Sequence, residues 1–309
     1  MAIRRGPMAV PENASDVFNT SNQVAAAPAV TSGFVTDALL RLRTLGGHAY
    51  PQIYSRLTGI EQLITQTNGV STTVPNMKWD YMNGAGNEYL GGTTTTVPTH
   101  MWRRAPGYFD VVSYTGTGSN RTVAHNLGVA PEMMWVKSRN ATRSWSVFHS
   151  ALGPTKGGLG LDLSSPASTD STVWNDTSPT SAVFTVGTYG NVNTLNNTYI
   201  AYLFATAPGV SKVGSYTGNG GTQNIDCGFS SGARFVLIKR SSNAQDWYIF
   251  DSTRGIVAGN DPYLKLNTTD AEATAADEID PLSSGFTIHQ TGSAGINFSG
   301  HTYIFYAIA

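Results

Sequence analysis

The chain has 309 residues, of which 13% are charged, with a formal net charge of −1 and a single cysteine. Charge this sparse, with no basic run longer than "IRR" (3–5) or "WRR" (102–104), argues against nucleic acid or an anionic membrane as a partner. One cysteine excludes an intrachain disulfide and a cysteine metal cluster, and no run approaches the roughly 18 apolar residues of a membrane helix.

Residues 1–13, "MAIRRGPMAVPEN", carry arginines and two prolines but no apolar stretch, so no secretory signal is expected and synthesis in the cytoplasm follows. Such a segment has little to bury and should order only on a neighbouring protein, as an anchoring arm. From residue 14 onward, short strand signals alternate with turn residues. "TSGFVTDALLRLR" (31–43) and "YPQIYSRLTG" (50–59) come first, then "MMWVKSR" (133–139), "SWSVFHS" (144–150) and "VFTVGT" (183–188). "FVLIKR" (235–240), "DWYIFDS" (246–252), "YLKLN" (263–267) and "TYIFYAIA" (302–309) follow. Gly, Asn, Asp and Pro punctuate these runs, the pattern of an all-β chain.

The runs repeat. "SYTGTG" (113–118) returns as "SYTGNG" (215–220), and Tyr114 precedes Lys137 by 23 residues just as Tyr216 precedes Lys239. Trp145 and Trp247 stand eight residues beyond those lysines, and Phe148 and Phe250 three further, all at an offset of 102. The closing "NNTYIAYLFA" (196–205) and "SGHTYIFYAIA" (299–309) have drifted by two. A more divergent copy precedes them, in which Phe18 to Arg41 again spans 23 residues and Pro51 stands where the others have Trp. The period is the length of a domain rather than of a solenoid repeat. The expected architecture is three tandem β-sandwich domains of jelly-roll or lectin-like type, at 14–107, 108–209 and 210–309. One sheet face would bury the apolar set and the other would carry Thr, Ser and Asn. The SYTG phrase reads as a packed Tyr followed by a Gly-dependent turn, since neither glycine nucleotide fingerprint is present.

Catalytic constellations are missing. The six histidines form no HExxH or other metal set, and His125 in "AHNLG" is replaced by Asp226–Cys227 in the next copy. Cys227 precedes an apolar strand and reads as a buried, inert thiol. Asp270, Glu272, Asp277, Glu278 and Asp280 read as a solvated acidic loop whose counterpart keeps only Asp170 and Asp176. That leaves neither a glycosidase-like carboxylate pair kept between copies nor a calcium-loop pattern. No catalytic residue, metal ligand or cofactor is therefore expected, and the chain reads as a non-enzyme. Trp145 and Trp247 are the candidate ligand-contact residues, as stacking platforms for sugar rings; the alternative is a core role, since Trp247 shares its strand face with Ile249.

The stretch "WRRAPGYFDVVSYTGTGSNRTVAHNLGVAPEMMWVKSRNATRSWSVFHSALG" (102–153) resembles a domain family that recurs, often in tandem, in virion and tail-fibre-like proteins of tailed bacteriophages. The likeness lies in APG-x-F-D-x-V-x-Y-x-G-x-G, in HNLGVAPE with its following V-K, and in the Trp strand. It implies a virion component partnered by other virion proteins and by its own copies. The expected role is a short tail fibre or baseplate-associated protein touching host-surface glycan. The alternatives are a non-adhesive capsid decoration, collar or baseplate connector, and, from another class, a surface-polysaccharide depolymerase, against which the missing carboxylate pair argues. No coiled-coil heptads appear, which favours a compact module over a long shaft.

Overall fold

The structure is a computed structural model that describes residues 9–24, 26–45, 48–86, 97–289 and 294–309. Strand makes up 39% and helix 5%, so the protein is all-β, as its turn-punctuated runs predict. The first third holds β1 (Phe18–Asn22), β2 (Val30–Thr31), β3 (Ala38–Leu45), β4 (His48–Ser55), β5 (Glu61–Ile64), β6 (Thr72–Thr73), β7 (Gly84–Ala85) and β8 (Pro98–Trp102). The second holds β9 (Phe109–Thr115), β10 (Arg121–Ala124), β11 (Met133–Ser138), β12 (Ser146–His149), β13 (Val183–Val186) and β14 (Thr198–Phe204). The third holds β15 (Ser211–Thr217), β16 (Gln223–Asp226), β17 (Phe235–Arg240), β18 (Trp247–Asp251), β19 (Tyr263–Lys265), β20 (Ile279–Leu282), β21 (Gly285–Ile288) and β22 (Thr302–Ile308).

The repeat in sequence is a repeat in topology. The large sheets run β1-β8-β3-β4-β5-β6, β9-β14-β11-β12 and β15-β22-β17-β18-β19, so each opening strand pairs with its closing strand and that with the third. Small sheets β2-β7, β10-β13 and β16-β21-β20 accompany them. Register corrects one sequence landmark. Phe18 lies opposite Trp102 as Phe109 lies opposite Phe204, and Ala38 takes the place of Met133. Phe18 is therefore the counterpart of Phe109 and Leu42 that of Lys137. The 23-residue interval to Arg41 matched by coincidence, because the connection between the first and third strands is shorter in that copy. "APG" closes both junctions: Ala105 bridges Phe109, Ala207 bridges Ser211, and Gly107 and Gly209 take φ of 72° and 73°.

Both faces of the large sheets are apolar, against the expectation of one polar face. In β14, Tyr199, Ala201 and Leu203 enter the core of their own unit, while Ile200, Tyr202 and Phe204 enter a second core on the opposite face. A strand buried on two sides has no reason to alternate, which explains the unbroken "YIAYLF". The second core is shared by all three thirds, through residues such as Phe18, Trp102, Phe109, Phe204, Phe235 and Tyr306. Ring contacts join the units in turn: Trp102–Phe109 at 6.2 Å, Phe204–Tyr306 at 4.9 Å and Phe18–Phe235 at 5.7 Å. The units thus form a closed set, each touching the other two. Excised alone, the third would expose Phe235, Ile304, Tyr306 and Ile308. At roughly 1.5–3 kcal/mol each, that loss of about 6–12 kcal/mol is comparable with the whole stability of a domain.

Candidate functional site

The SYTG phrase is a structural lock. Tyr114 stacks on Tyr199 at 5.1 Å, and Tyr216 on Tyr303 at 4.9 Å. Their hydroxyls donate to Val192 O and Ile296 O. The buried amides Asn193 and Asn297 then hold the turn, each accepting a backbone N–H from Thr117 (2.8 Å) or Asn219 (3.0 Å). The first glycine of each phrase is required by close approach: a Cβ on Gly116 would stand 2.1 Å from Thr194 O, and one on Gly218 2.3 Å from Phe298 O. The second, Gly118 or Gly220, takes positive φ.

Trp145 and Trp247 are 1% exposed, so neither presents a ring face to a sugar. Each fastens its unit to the preceding one. Trp145 Nε1 donates to Ile64 O (3.2 Å) and Trp247 Nε1 to Gly160 O (2.9 Å). The divergent first copy has Pro51 at this position and cannot donate, and Thr65 Oγ1 closes the ring instead by donating to Leu266 O at 2.7 Å. The paired lysines follow the tryptophans. Lys137 Nζ reaches Asn68 O (3.3 Å) and Lys239 Nζ reaches Ser164 O (2.9 Å), each in the preceding unit. Burial pushes both amines down to about 8. The repeated Lys-x₇-Trp spacing is therefore a seam motif.

The seams are not equally closed. Between the first and second units, Arg139 Nη2 meets Glu61 Oε2 at 2.6 Å. The counterpart of Arg139 by the 102-residue offset is Ser241, and there the second and third units leave a cleft of about 400 Å³. Leu152 from the connection after β12 forms one wall; Ser215, Thr217, Ser241, Thr302 and Ile304 form the other. Strand alternation in β15 sends Tyr216 into its stack and turns Ser215 and Thr217 the other way. Ser241 Oγ and Thr302 Oγ1 lie 3.1 Å apart. The cleft offers uncharged hydroxyl donors and acceptors beside apolar surface, and among the described residues no carboxylate, histidine or cysteine lines it. It can hold a neutral polyhydroxylated group and has no acid or base with which to cleave one. Sequence reasoning missed these residues. The signal was the Arg-to-Ser change between otherwise matching copies.

The remaining titratable groups do structural work or stand apart. Both ring nitrogens of His125 serve its turn, with Leu127 N donating to Nδ1 and Nε2 lying 3.1 Å from Thr180 O. His100 Nε2 lies 3.5 Å from Asp251 Oδ2 with both side chains fully buried, and Arg254 pairs with the same carboxylate at 2.6 Å. Burial pushes the Cys227 thiol up to about 12, so it holds no thiolate at neutral pH. The acidic stretch is less solvated than expected. Asp270 pairs with Lys265 at 2.6 Å and Glu272 with Arg254 at 3.6 Å, while Glu278 is fully buried. Asp277, Asp280 and His289 bring three possible metal-ligand atoms within 4.8 Å of one another, a grouping that sequence spacing did not reveal. The arm expected at 1–13 falls largely outside the described residues; Ala9, Val10, Pro11 and Glu12 line a pocket together with Arg103 and Arg104.

Residues 58–309 match the family described as "Domain of unknown function (DUF7483)", and the chain belongs to that family. The match begins within the first unit, just after β4, and runs through the other two. Comparison with curated proteins finds no match.

Proposed function

We propose that the chain is a structural component of a tailed-bacteriophage particle, a short tail-fibre or tail-associated protein that contacts host-surface glycan through the cleft between its second and third units. The observation that carries the contact is that cleft: uncharged, lined by hydroxyls, and without an acid or base. The placement on a virion rests on the likeness of residues 102–153 to phage structural domains. The closed set of three units suits it, since a particle component must stay folded outside the cell without disulfides. The missing acid–base pair speaks against a depolymerase. Burial of both tryptophans favours one second reading, a non-adhesive collar or baseplate connector.

Two measurements test this. Antibodies to the purified chain should label tailed particles in electron micrographs, and particles lacking the chain refute the virion assignment. Saturable binding of the chain to host cells, competed by virions and weakened by Ser215→Trp in the cleft, supports the fibre reading. A chain that incorporates into particles and binds no cells is the connector.

A further inference from the structure

The third unit carries a cluster that the seams, the cleft and the shared core do not use. Hairpin β20–β21 places Ile279 opposite Ile288, and His289 N donates to Glu278 O one step beyond. By strand alternation Glu278, Asp280 and His289 share one face, opposite the two buried isoleucines. Asp277 joins them, and one ligand atom from each of Asp277, Asp280 and His289 lies within 4.8 Å of the others.

Hydrogen bonding leaves this face short of positive charge. His289 Nε2 is 2.9 Å from Asp280 Oδ2, but the second oxygen of Asp280 is buried with no hydrogen-bond partner. Glu278 is fully buried; Ala294 N donates to its Oε1, and Oε2 has no partner. Among the described residues no lysine or arginine pairs with either carboxylate; Asp280 has only His289. Leaving a buried carboxylate oxygen without donor or cation costs several kcal/mol, so something positive belongs here. A proton on Glu278 would satisfy its Oε2, but the buried second oxygen of Asp280 would stay unmet beside Asp277 and His289.

We propose that Asp277, Asp280 and His289 bind one divalent transition-metal ion. Ligands held at about 2.1 Å from one ion stand roughly 3–4 Å apart, which these atoms reach with small side-chain rotations. Thr222 Oγ1 lies 3.1 Å from His289 Nδ1, so a proton on Nδ1 can be donated to that hydroxyl while Nε2 faces the ion. One imidazole nitrogen among carboxylate oxygens selects zinc or manganese over calcium or magnesium, which take oxygen sets. The ion would tie the start of β20 to the end of β21.

The test is calorimetric titration of the tag-free full chain, freed of metal by chelator, with zinc chloride and separately with calcium chloride. One equivalent of zinc should bind, and His289→Ala and Asp280→Asn should each weaken it at least tenfold. Unfolding temperatures measured without metal establish that the variants fold. A cobalt titration of the unaltered chain, read by its visible absorption, gives the nitrogen-and-oxygen signature without any substitution. Absence of zinc binding, binding that both variants retain, or calcium bound more tightly than zinc would each overturn the assignment.

Discussion

Acid should open the protein at its seams, and His100 is the residue through which to measure it. The ring lies between the first and third units, near Phe18, Trp102 and Phe235, with Asp251 as its nearest charge. Burial, only partly offset by Asp251 and reinforced by Arg254, pushes its pKa from 6.5 down to about 4. The sign follows from linkage. Below pH 6.5 the unfolded chain takes up a proton that the folded chain refuses until about pH 4, so stability is lost across that window. The whole displacement is worth about 3.4 kcal/mol, of which about 2.5 kcal/mol is spent between pH 7.5 and 4.5. His149, 1% exposed and also pushed down to about 4 by burial, adds a similar loss. Glu278 works the other way, because burial raises it to about 7 and its folded form gains a proton first. The comparison must therefore be between variants and not between pH values alone. His100→Phe is the variant of choice, since the matching positions in the other units are the aromatic Tyr202 and Tyr306. Urea unfolding at pH 7.5 and 4.5 should show the unaltered protein losing about 2.5 kcal/mol more than His100→Phe. Equal losses in the two proteins would refute the account of His100 as a buried neutral group.

Three further outcomes follow from the seams and the lock. Trp247→Ala should destabilise by about 3–5 kcal/mol in urea unfolding and Trp247→Phe by about 1–3 kcal/mol, because the smaller change still strands Gly160 O. A surface platform would tolerate both. Gly218→Ala should cost about 2–3 kcal/mol by forcing a Cβ into Phe298 O, while Gly221→Ala, with only Asn219 Oδ1 at 3.8 Å, should change the unfolding midpoint little. Lys239 is depressed to about 8 by burial, so its protonation opposes folding. Stability should rise by about 2 kcal/mol more between pH 8 and 10 in the unaltered chain than in Lys239→Met, checked by urea unfolding at both values.

The all-β class and the repeat were legible because each rests on local chemistry. Tyr114 and Tyr216, Lys137 and Lys239, and Trp145 and Trp247 recur since each has the same job at the same place in its unit. What those jobs were could not be read. Trp145 takes its partner from Ile64 and Trp247 from Gly160, neighbours that only the closure of the three units supplies. Spacing misled in the first copy, where Phe18 to Arg41 reproduced an interval that the register does not. The cation candidate was hidden for a different reason. His289 is nine residues from Asp280 in the chain and 2.9 Å from it across a hairpin, a relation that depends on register.

Duplication of a unit with one seam donor and one seam acceptor makes a head-to-tail interface, which must either close or continue indefinitely. Here three copies in one chain close it, and the third seam is the repaired one: Pro51 cannot supply the indole N–H, and Thr65 reaches Leu266 O in its place. Joining the copies covalently lets each seam diverge separately, which three identical chains could not do. Arg139 seals the first seam against Glu61, while Ser241 leaves the corresponding place open at the second. The cleft is thus a product of asymmetry between copies that share one fold. Replacing Ser241 by Arg should fill it while the shared core stays intact.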